Sequence, residues 1–506
     1  MHMTQKPNIV FIFSDQQRSD TLACYGNNWI KVPHLNRLAD ESFVFENAYV
    51  AQPVCTPARA TIMTGLYPHS AGPMVNKMSL PEDVPTIAEL ISDDYLCGYL
   101  GKWHLGDDVV RQHGFDEWVS TEDGHRGEYS KREYRTLMSD YHNYLLEAGF
   151  KPDMEVKGAN IFSPEARGKL SAEHQMASFL GMKAEQFIES HSAETFMLYV
   201  STFEPHPPYY GPLDDLYDPQ EIPVGPSFLN VSDNDSLLNR ERGNYYTQYL
   251  RGGDQLDDEY MTDSAAHEND VSTETGWLKL RARYMANITL VDDMVGRILA
   301  AIDNAGIAEN TVVVFTSEHG EMAGDHGMLE KRSFFEEAAK VPLLMRIPWL
   351  SSGQTKIPGS ISHIDLVPTL LDLAGDAQPE HLEGVSRVPV FKGDVDLVDN
   401  EVFIEWNGIS DVVEDRNLGN PAINNLIPMA WRSIIVNEST SDGSIQRWKL
   451  NLCATDQCEL YDLNADPSEL VNLFNNKEQR DRIRHLTAAV RIWQQRTRDV
   501  APLPTV

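Results

Sequence analysis

The chain is predicted to fold as an α/β protein in two parts. Residues 1–385 form a large, doubly wound, mostly parallel sheet domain flanked by helices, and residues 386–506 a smaller α+β domain with an antiparallel sheet. Three observations predict this. Nearly continuous apolar runs such as NIVFIFS from residue 8, FMLYVS from 196 and TVVVFTS from 311 alternate with helical spacing, the pattern of strands buried on both faces. Beyond about residue 385 the runs become short and mixed (EVFIEW, WRSIIV, RWKLNL) and end in one last helix. A length of 506 residues suffices for one large and one small core.

Taken in order, residues 8–16 read as a central strand, and HLNRLADES from His34 has the helical spacing of Leu35, Leu38 and Ala39. CTPARATIMTG (55–65) passes from a proline-bearing turn into a short helix, with Pro57 suited to its first turn. LPEDVPTIAELISDD (80–94) predicts an amphipathic helix leading into the strand YLCGYLGKW. Residues 107–172 and 203–275 lose periodicity, as segments that build a functional rim do. Between them, ETFMLYVST (194–202) reads as a buried strand, and residues 281–306 form the strongest helix, stopped by glycine. TVVVFTSEHG (311–320) and VPLLMRIP (341–348) read as parallel-type strands. HIDLVPTLLDLAGD (363–376) closes the first domain, and a final helix falls near 478–497. There is no internal repeat and no low-complexity tract.

Acidic residues number 76 against 42 basic, for a formal net charge of −34. That sign argues against nucleic acid and anionic membrane surfaces as partners, since both are met by Lys/Arg-lined faces. An anionic substrate stays compatible, because nearby basic groups outweigh a field screened over roughly 8–10 Å. Five cysteines (24, 55, 97, 453, 458) are too few and odd in number for a disulfide scaffold; Cys453 and Cys458 are spaced for a local bridge that nothing requires. The apolar run in MHMTQKPNIVFIF is too short to span a bilayer. Its MHM opening reads as an added remnant, so the expectation is a soluble protein, periplasmic or secreted if an export signal was removed and cytoplasmic otherwise. The sequence assigns no oligomeric state.

Two strands end in polar pairs, Asp15-Gln16 and Glu318-His319. Ligands of open α/β sheets bind outside the carboxyl ends of strands, so these four side chains are candidates to surround one divalent cation. Oxygen donors suit Ca²⁺ or Mg²⁺, and His319 shifts the set toward a transition ion such as Mn²⁺. The same residues would also serve as helix caps.

The segment Cys55-Thr56-Pro57-Ala58-Arg59, continuing into ATIMTGLYPHS, resembles the sulfatase signature C-x-P-x-R with its following T-G element. GKWHLG (101–106), TFEPHPPY (202–209), SEHGEMAGDHGMLEK within 317–348, and ELYDLNADPSELVNL (459–473) are similar to later elements of that family, in the family's order. The resemblance implies an alkaline-phosphatase-like fold and a nucleophile made by a formylglycine-generating enzyme, which oxidises Cys55 to Cα-formylglycine. The hydrated aldehyde would attack sulfur with one hydroxyl and release sulfate by deprotonation of the other, an escape that serine lacks.

Further roles follow from the resemblance. Asp15, Gln16, Glu318 and His319 would hold the cation with residue 55, and Arg59 would steady the hydrate. His104 would be the base of sulfate release. Lys102, His206 and Lys331 would hold sulfate oxygens, with His206 or Lys331 protonating the leaving alcohol, and Asn76 would touch the sulfate. Gln16 stands where the family usually has Asp, and Glu318 where it has Asp, which puts the ion's identity in question. With Gln and His the site also resembles the phosphonate monoester and phosphodiester hydrolases of the same superfamily, but these lack the Lys and His of GKWHLG. The Tyr, His, Arg and Asp residues of the loose blocks suit a carbohydrate or polysaccharide sulfate, ahead of a small aryl or alkyl sulfate. Mature protein is expected to carry formylglycine at 55, a loss of about 18 Da from that tryptic peptide. Mass spectrometry of fully active protein that finds only cysteine there would contradict this.

Overall fold

The apolar run Ile9–Phe13 alternates its side chains between two separate cores. Val10 and Ile12 join one, Ile9, Phe11 and Phe13 the other, and all five are fully buried. The strand that carries them is central, as the double burial requires. The computed structural model describes residues 6–252, 269–351, 353–408, 425–439 and 445–506. The N-terminal MHM and residues 253–268 of the second loose block lie outside the described residues.

In chain order the strands are β1 (Asn8–Asp15), β2 (Phe43–Tyr49), β3 (Leu96–Gly101), β4 (Glu117–Ser120), β5 (Met154–Val156), β6 (Ala159–Ile161), β7 (Phe196–Pro205), β8 (Thr311–Ser317), β9 (Lys340–Val341), β10 (Leu343–Arg346), β11 (Thr355–Ser362), β12 (Val402–Trp406), β13 (Trp431–Ser439), β14 (Ile445–Cys453) and β15 (Glu459–Asp462). Nine build the main sheet in the order β11-β2-β10-β8-β1-β7-β3-β4, with β9 paired to β2. β1 runs parallel to both β7 and β8, and β3 parallel to β7 and β4, so their carboxyl ends share one edge. Helices Met176–His191 and Glu274–Asn304 cover one face, and helix Leu366–Ala374 contributes to the core of the other. This is the mostly parallel, doubly wound sheet that the alternating runs predict. Full burial of each such Val, Ile or Phe contributes about 1.5–3 kcal/mol relative to exposure.

Two expectations are corrected. β10, expected parallel, is antiparallel to β8 and β2. Residues 318–342 do not cross the sheet on a long helix; they stay at the carboxyl edge with a four-residue helix, Glu336–Ala339, so the chain re-enters from the end at which β8 left. The amphipathic helix expected over 80–94 is one turn, Ile87–Leu90. Thr86 and Glu89 form a capping box at its start, and Ile91 is already extended, with Ser92 N donating to Asp376. The loose blocks hold small elements: helices Asp140–Glu147, Pro164–Gly168 and Leu237–Thr247, the β5–β6 hairpin, and β4.

The C-terminal sheet is antiparallel in the order β12-β13-β14-β15. Helix Arg480–Thr497 buries Ile483, Leu486, Val490 and Trp493 against it, with Trp493 stacked on Phe403 at 5.1 Å. Ala51, Tyr67 and Ile364 of the large domain enter the same core, so the two parts are packed together. Cys453 and Cys458 are both free thiols. Among the described residues, no helix is long and apolar enough to cross a membrane.

Candidate active site

Parallel pairing sets Ser14 of β1 opposite Ser317 of β8, and Glu318 N donates to Ser14 O at 3.1 Å. The next side chains, Asp15 and Glu318, are thereby forced to the same place, and both are fully buried. The helix Cys55–Thr64 brings Cys55 to them as its first residue. Thr56 N there donates to Asn76 Oδ1 at 3.1 Å. β3 delivers Lys102 and His104 past its end, β7 delivers His206, and the return from β8 delivers Lys331.

Donor atoms of Asp15, Cys55, Glu318 and His319 all lie within 4.8 Å of one another. Cys55 Sγ is 3.4 Å from His319 Nε2, which is 3.2 Å from Glu318 Oε1 and 3.9 Å from Asp15 Oδ1. Asp15 Oδ1 is buried without a hydrogen-bond donor. Two buried carboxylates, each with an oxygen that accepts no hydrogen bond, beside an imidazole and residue 55 make a donor set that fits a divalent cation. Two basic side chains also meet these carboxylates. Lys102 Nζ is 2.6 Å from Asp15 Oδ2, and Arg59 contacts Glu318 through Nε and lies 3.7 Å from Asp15 Oδ2. The Arg59 guanidinium is steadied by Lys102 O (2.6 Å) and Ser201 Oγ (2.8 Å).

Gln16, with φ of 80°, turns its amide to other partners. Its Oε1 accepts from Lys331 Nζ at 2.5 Å, and its Nε2 donates to Glu321 and to Tyr209 Oη. Holding an ion with that oxygen requires Lys331 to share it.

Burial raises the Asp15 carboxyl, but Lys102, with Arg59 beside it, more than reverses that and holds it well below the usual carboxylate range. Burial, then the charge of Lys102, keeps His104 well below the ordinary histidine value, so it is neutral. Burial and Lys331 do the same to His206. For His319 burial is outweighed by Cys55 and Glu318, which raise it to about 9. Among the described residues neither ring nitrogen of His104 has a hydrogen-bond partner; its backbone N donates to Asp108 (2.8 Å) and its ring stacks on His125 at 4.7 Å. His206 Nδ1 lies 2.9 Å from Pro207 O and its ring leans on Phe203.

Cys55, Asn76, Lys102, His104, His206 and Lys331 line one cavity of about 340 Å³. Asp15, Gln16, Arg59, Glu318 and His319 lie buried behind it. Sequence reasoning missed Glu122, His125, Arg167 and Trp406 on the same wall, and Tyr209 and Glu321 behind Gln16. Tyr209 and Glu321 fall in segments already singled out; Glu122, His125 and Arg167 fall in the aperiodic block 107–172 and carry no local signal.

The sulfatase family profile matches residues 7–376. The chain is similar to the N-acetylglucosamine-6-O-sulfatase of Bacteroides thetaiotaomicron, with 25% identity over 99% of this chain and 88% of the relative. It is also similar to the ulvan-active sulfatase of Formosa agariphila, with 29% identity over 79% and 68%. Its fold superposes with a TM-score of 0.76 on a solved structure bound to its substrate D-glucosamine-2-N,6-O-disulfate, at 21% identity over 98% and 99% of the two chains.

Removal of one carboxylate should abolish ion retention. Wild-type protein is expected to carry about one Ca²⁺ per chain by elemental analysis, and Asp15→Ala none. Full Ca²⁺ content in Asp15→Ala would refute the site.

Proposed function

The chain belongs to the sulfatase family and is a sulfuric ester hydrolase; from that premise we propose that it cleaves the S–O bond of carbohydrate sulfates with a formylglycine at position 55. The observation that carries this reading is the convergence of Cys55 with Asp15, Glu318 and His319 at one wall of a cavity also lined by Lys102, His104, His206 and Lys331. The names of the relatives support the saccharide, as does a cavity of about 340 Å³ that mixes aromatic walls with polar groups. Maturation calls for a formylglycine-generating enzyme as a partner.

Asp15, Gln16, Glu318, His319 and residue 55 would hold the divalent ion, with Ca²⁺ favoured by the oxygen donors and Mg²⁺ or Mn²⁺ compatible with the same set. Such an ion supplies Lewis-acid charge that lowers the pKa of a hydroxyl it touches. Arg59 keeps residue 55 in place, because its guanidinium is fixed by Lys102 O and Ser201 Oγ and has no freedom to follow substrate. Asn76 spends its Oδ1 on Thr56 N, which leaves its Nδ2 to face a sulfate oxygen. Lys102 and Lys331 each reach the cavity and each donate to a protein oxygen, so the sulfate takes over donors already aimed at it.

His104 is neutral with both ring nitrogens unpartnered, the state a base needs to accept the proton of residue 55 when sulfate departs. Of the two candidate acids, Lys331 carries its proton in the resting site while His206 is neutral. The incoming sulfate's negative charge would return a proton to His206.

A panel of sulfated mono- and oligosaccharides with an aryl phosphonate as counter-substrate tests the proposal. Free sulfate is expected from at least one saccharide, at a higher kcat/KM than phosphonate hydrolysis; faster phosphonate turnover would contradict it. On the best saccharide, His104→Ala should release about one equivalent of alcohol in a burst and then slow by ~10²–10⁴-fold, with free sulfate lagging. A His104→Ala enzyme with no burst, or with a defect that tracks leaving-group pKa, refutes its role in sulfate release.

A further inference from the structure

Arg167 lines the cavity and has no part in the chemistry above. It sits on the short helix Pro164–Gly168, capped by Ser163, whose Oγ accepts from Ala166 N at 3.0 Å. Gln175 Nε2 pins the helix end by donating to Arg167 O (3.1 Å) and Leu170 O (2.8 Å). Tyr210 packs so closely on Gly168 that a Cβ there would fall 2.5 Å from its ring. The backbone beneath Arg167 is therefore fixed.

Its guanidinium, half-buried, meets no carboxylate and no hydrogen-bond acceptor among the described residues. It lies over the face of Phe203, 5.2 Å from the ring centroid. Glu204 is close enough to feel its charge but has both oxygens occupied, Oε1 by Ala177 N at 3.2 Å and Oε2 by the Thr202 hydroxyl. On the same wall Asp123 is tied to Arg126 and Ser139. A partly desolvated guanidinium on a fixed backbone, with no carboxylate hydrogen-bonded to it among the described residues, is unusual in a chain of net charge −34, where acidic partners are abundant.

Lys102 Nζ lies 5.0 Å from the centroid of the same Phe203 ring. The sulfate-binding lysine and Arg167 thus stand no more than about 10 Å apart, within the span of one or two pyranose rings. We infer that Arg167 binds a second anionic group on the leaving alcohol, a carboxylate or a further sulfate on the ring bearing the scissile sulfate or the ring next to it. The guanidinium fork matches either group with two parallel N–H bonds. A neutral saccharide leaves that fork unpaired, so Arg167 sets a preference for polyanionic chains. This rests on reading the site as that of a saccharide sulfatase.

Three oligosaccharides that share one scissile sulfate test it: one otherwise neutral, one with a uronate, one with a second sulfate. Wild type is expected to favour at least one anionic member in kcat/KM. Arg167→Gln should lose ~10–100-fold on that member, mainly through KM, so that the anionic-to-neutral ratio falls toward unity, and Arg167→Lys should recover part of it. Loss on the uronate identifies a carboxylate and loss on the disulfate a sulfate; either supports the inference. Thermal melting of both variants at the wild-type temperature separates lost binding from lost folding. An anionic-to-neutral ratio unchanged in Arg167→Gln overturns the role of Arg167 and leaves the proposed activity intact. A wild-type enzyme that desulfates none of the three overturns both.

Discussion

Two carboxylates that the sheet forces together, Asp15 and Glu318, are the constraint from which the site is built. β1 and β8 are adjacent and parallel with Ser14 opposite Ser317, so whatever follows on each strand shares one buried spot. Burying a carboxylate costs several kcal/mol unless opposite charge meets it, and two together repel. Lys102 from β3 and Arg59 from the Cys55 helix supply part of the answer, and Asp15 Oδ1 remains without a donor. A divalent cation would supply the rest, and residue 55, at the helix start, lies among the same donors.

The same constraint explains how a chain of net charge −34 handles an anionic ester. Basic groups at the site are buried or half-buried, in a medium where charges act far more strongly than across solvent. Lys102 and Lys331 keep their protons because Asp15 and Cys55 outweigh the burial that opposes them. The acidic surface acts through screened water and fades within roughly 8–10 Å. Local geometry, not overall sign, decides what the cavity binds.

Legibility in the sequence follows burial. β1, β7 and β8 are buried on both faces and announce themselves as continuous apolar runs, and the polar pairs that end β1 and β8 were readable as candidate ligands for that reason. The direction of β10 was not readable, because VPLLMRIP looks the same whichever way the chain enters the sheet. β4 has four residues and β11 contains Pro358 and Gly359, where its register shifts, so neither shows a clean period. The site residues expected from motifs lie on the cavity wall or directly behind it. Glu122, His125 and Arg167 arrive there through tertiary folding of an aperiodic block, and Trp406 comes from the C-terminal sheet, so no local pattern marks them. The tie from Gln16 to Lys331 depends on two segments 315 positions apart and is visible only in three dimensions.

Folding buries two carboxylates at the ends of β1 and β8 and leaves Asp15 Oδ1 without a donor, a place fitted to a divalent cation. The most direct measurement is the melting temperature of chelator-stripped wild-type protein, followed as Ca²⁺ is added. An ion that binds the folded state alone stabilises it by RT ln(1 + [L]/Kd), so the melting temperature should rise with concentration and keep rising slowly once about one equivalent is bound. A melting temperature indifferent to Ca²⁺, Mg²⁺ and Mn²⁺ alike would mean that Lys102 and Arg59 already satisfy the carboxylates and that no divalent cation binds there.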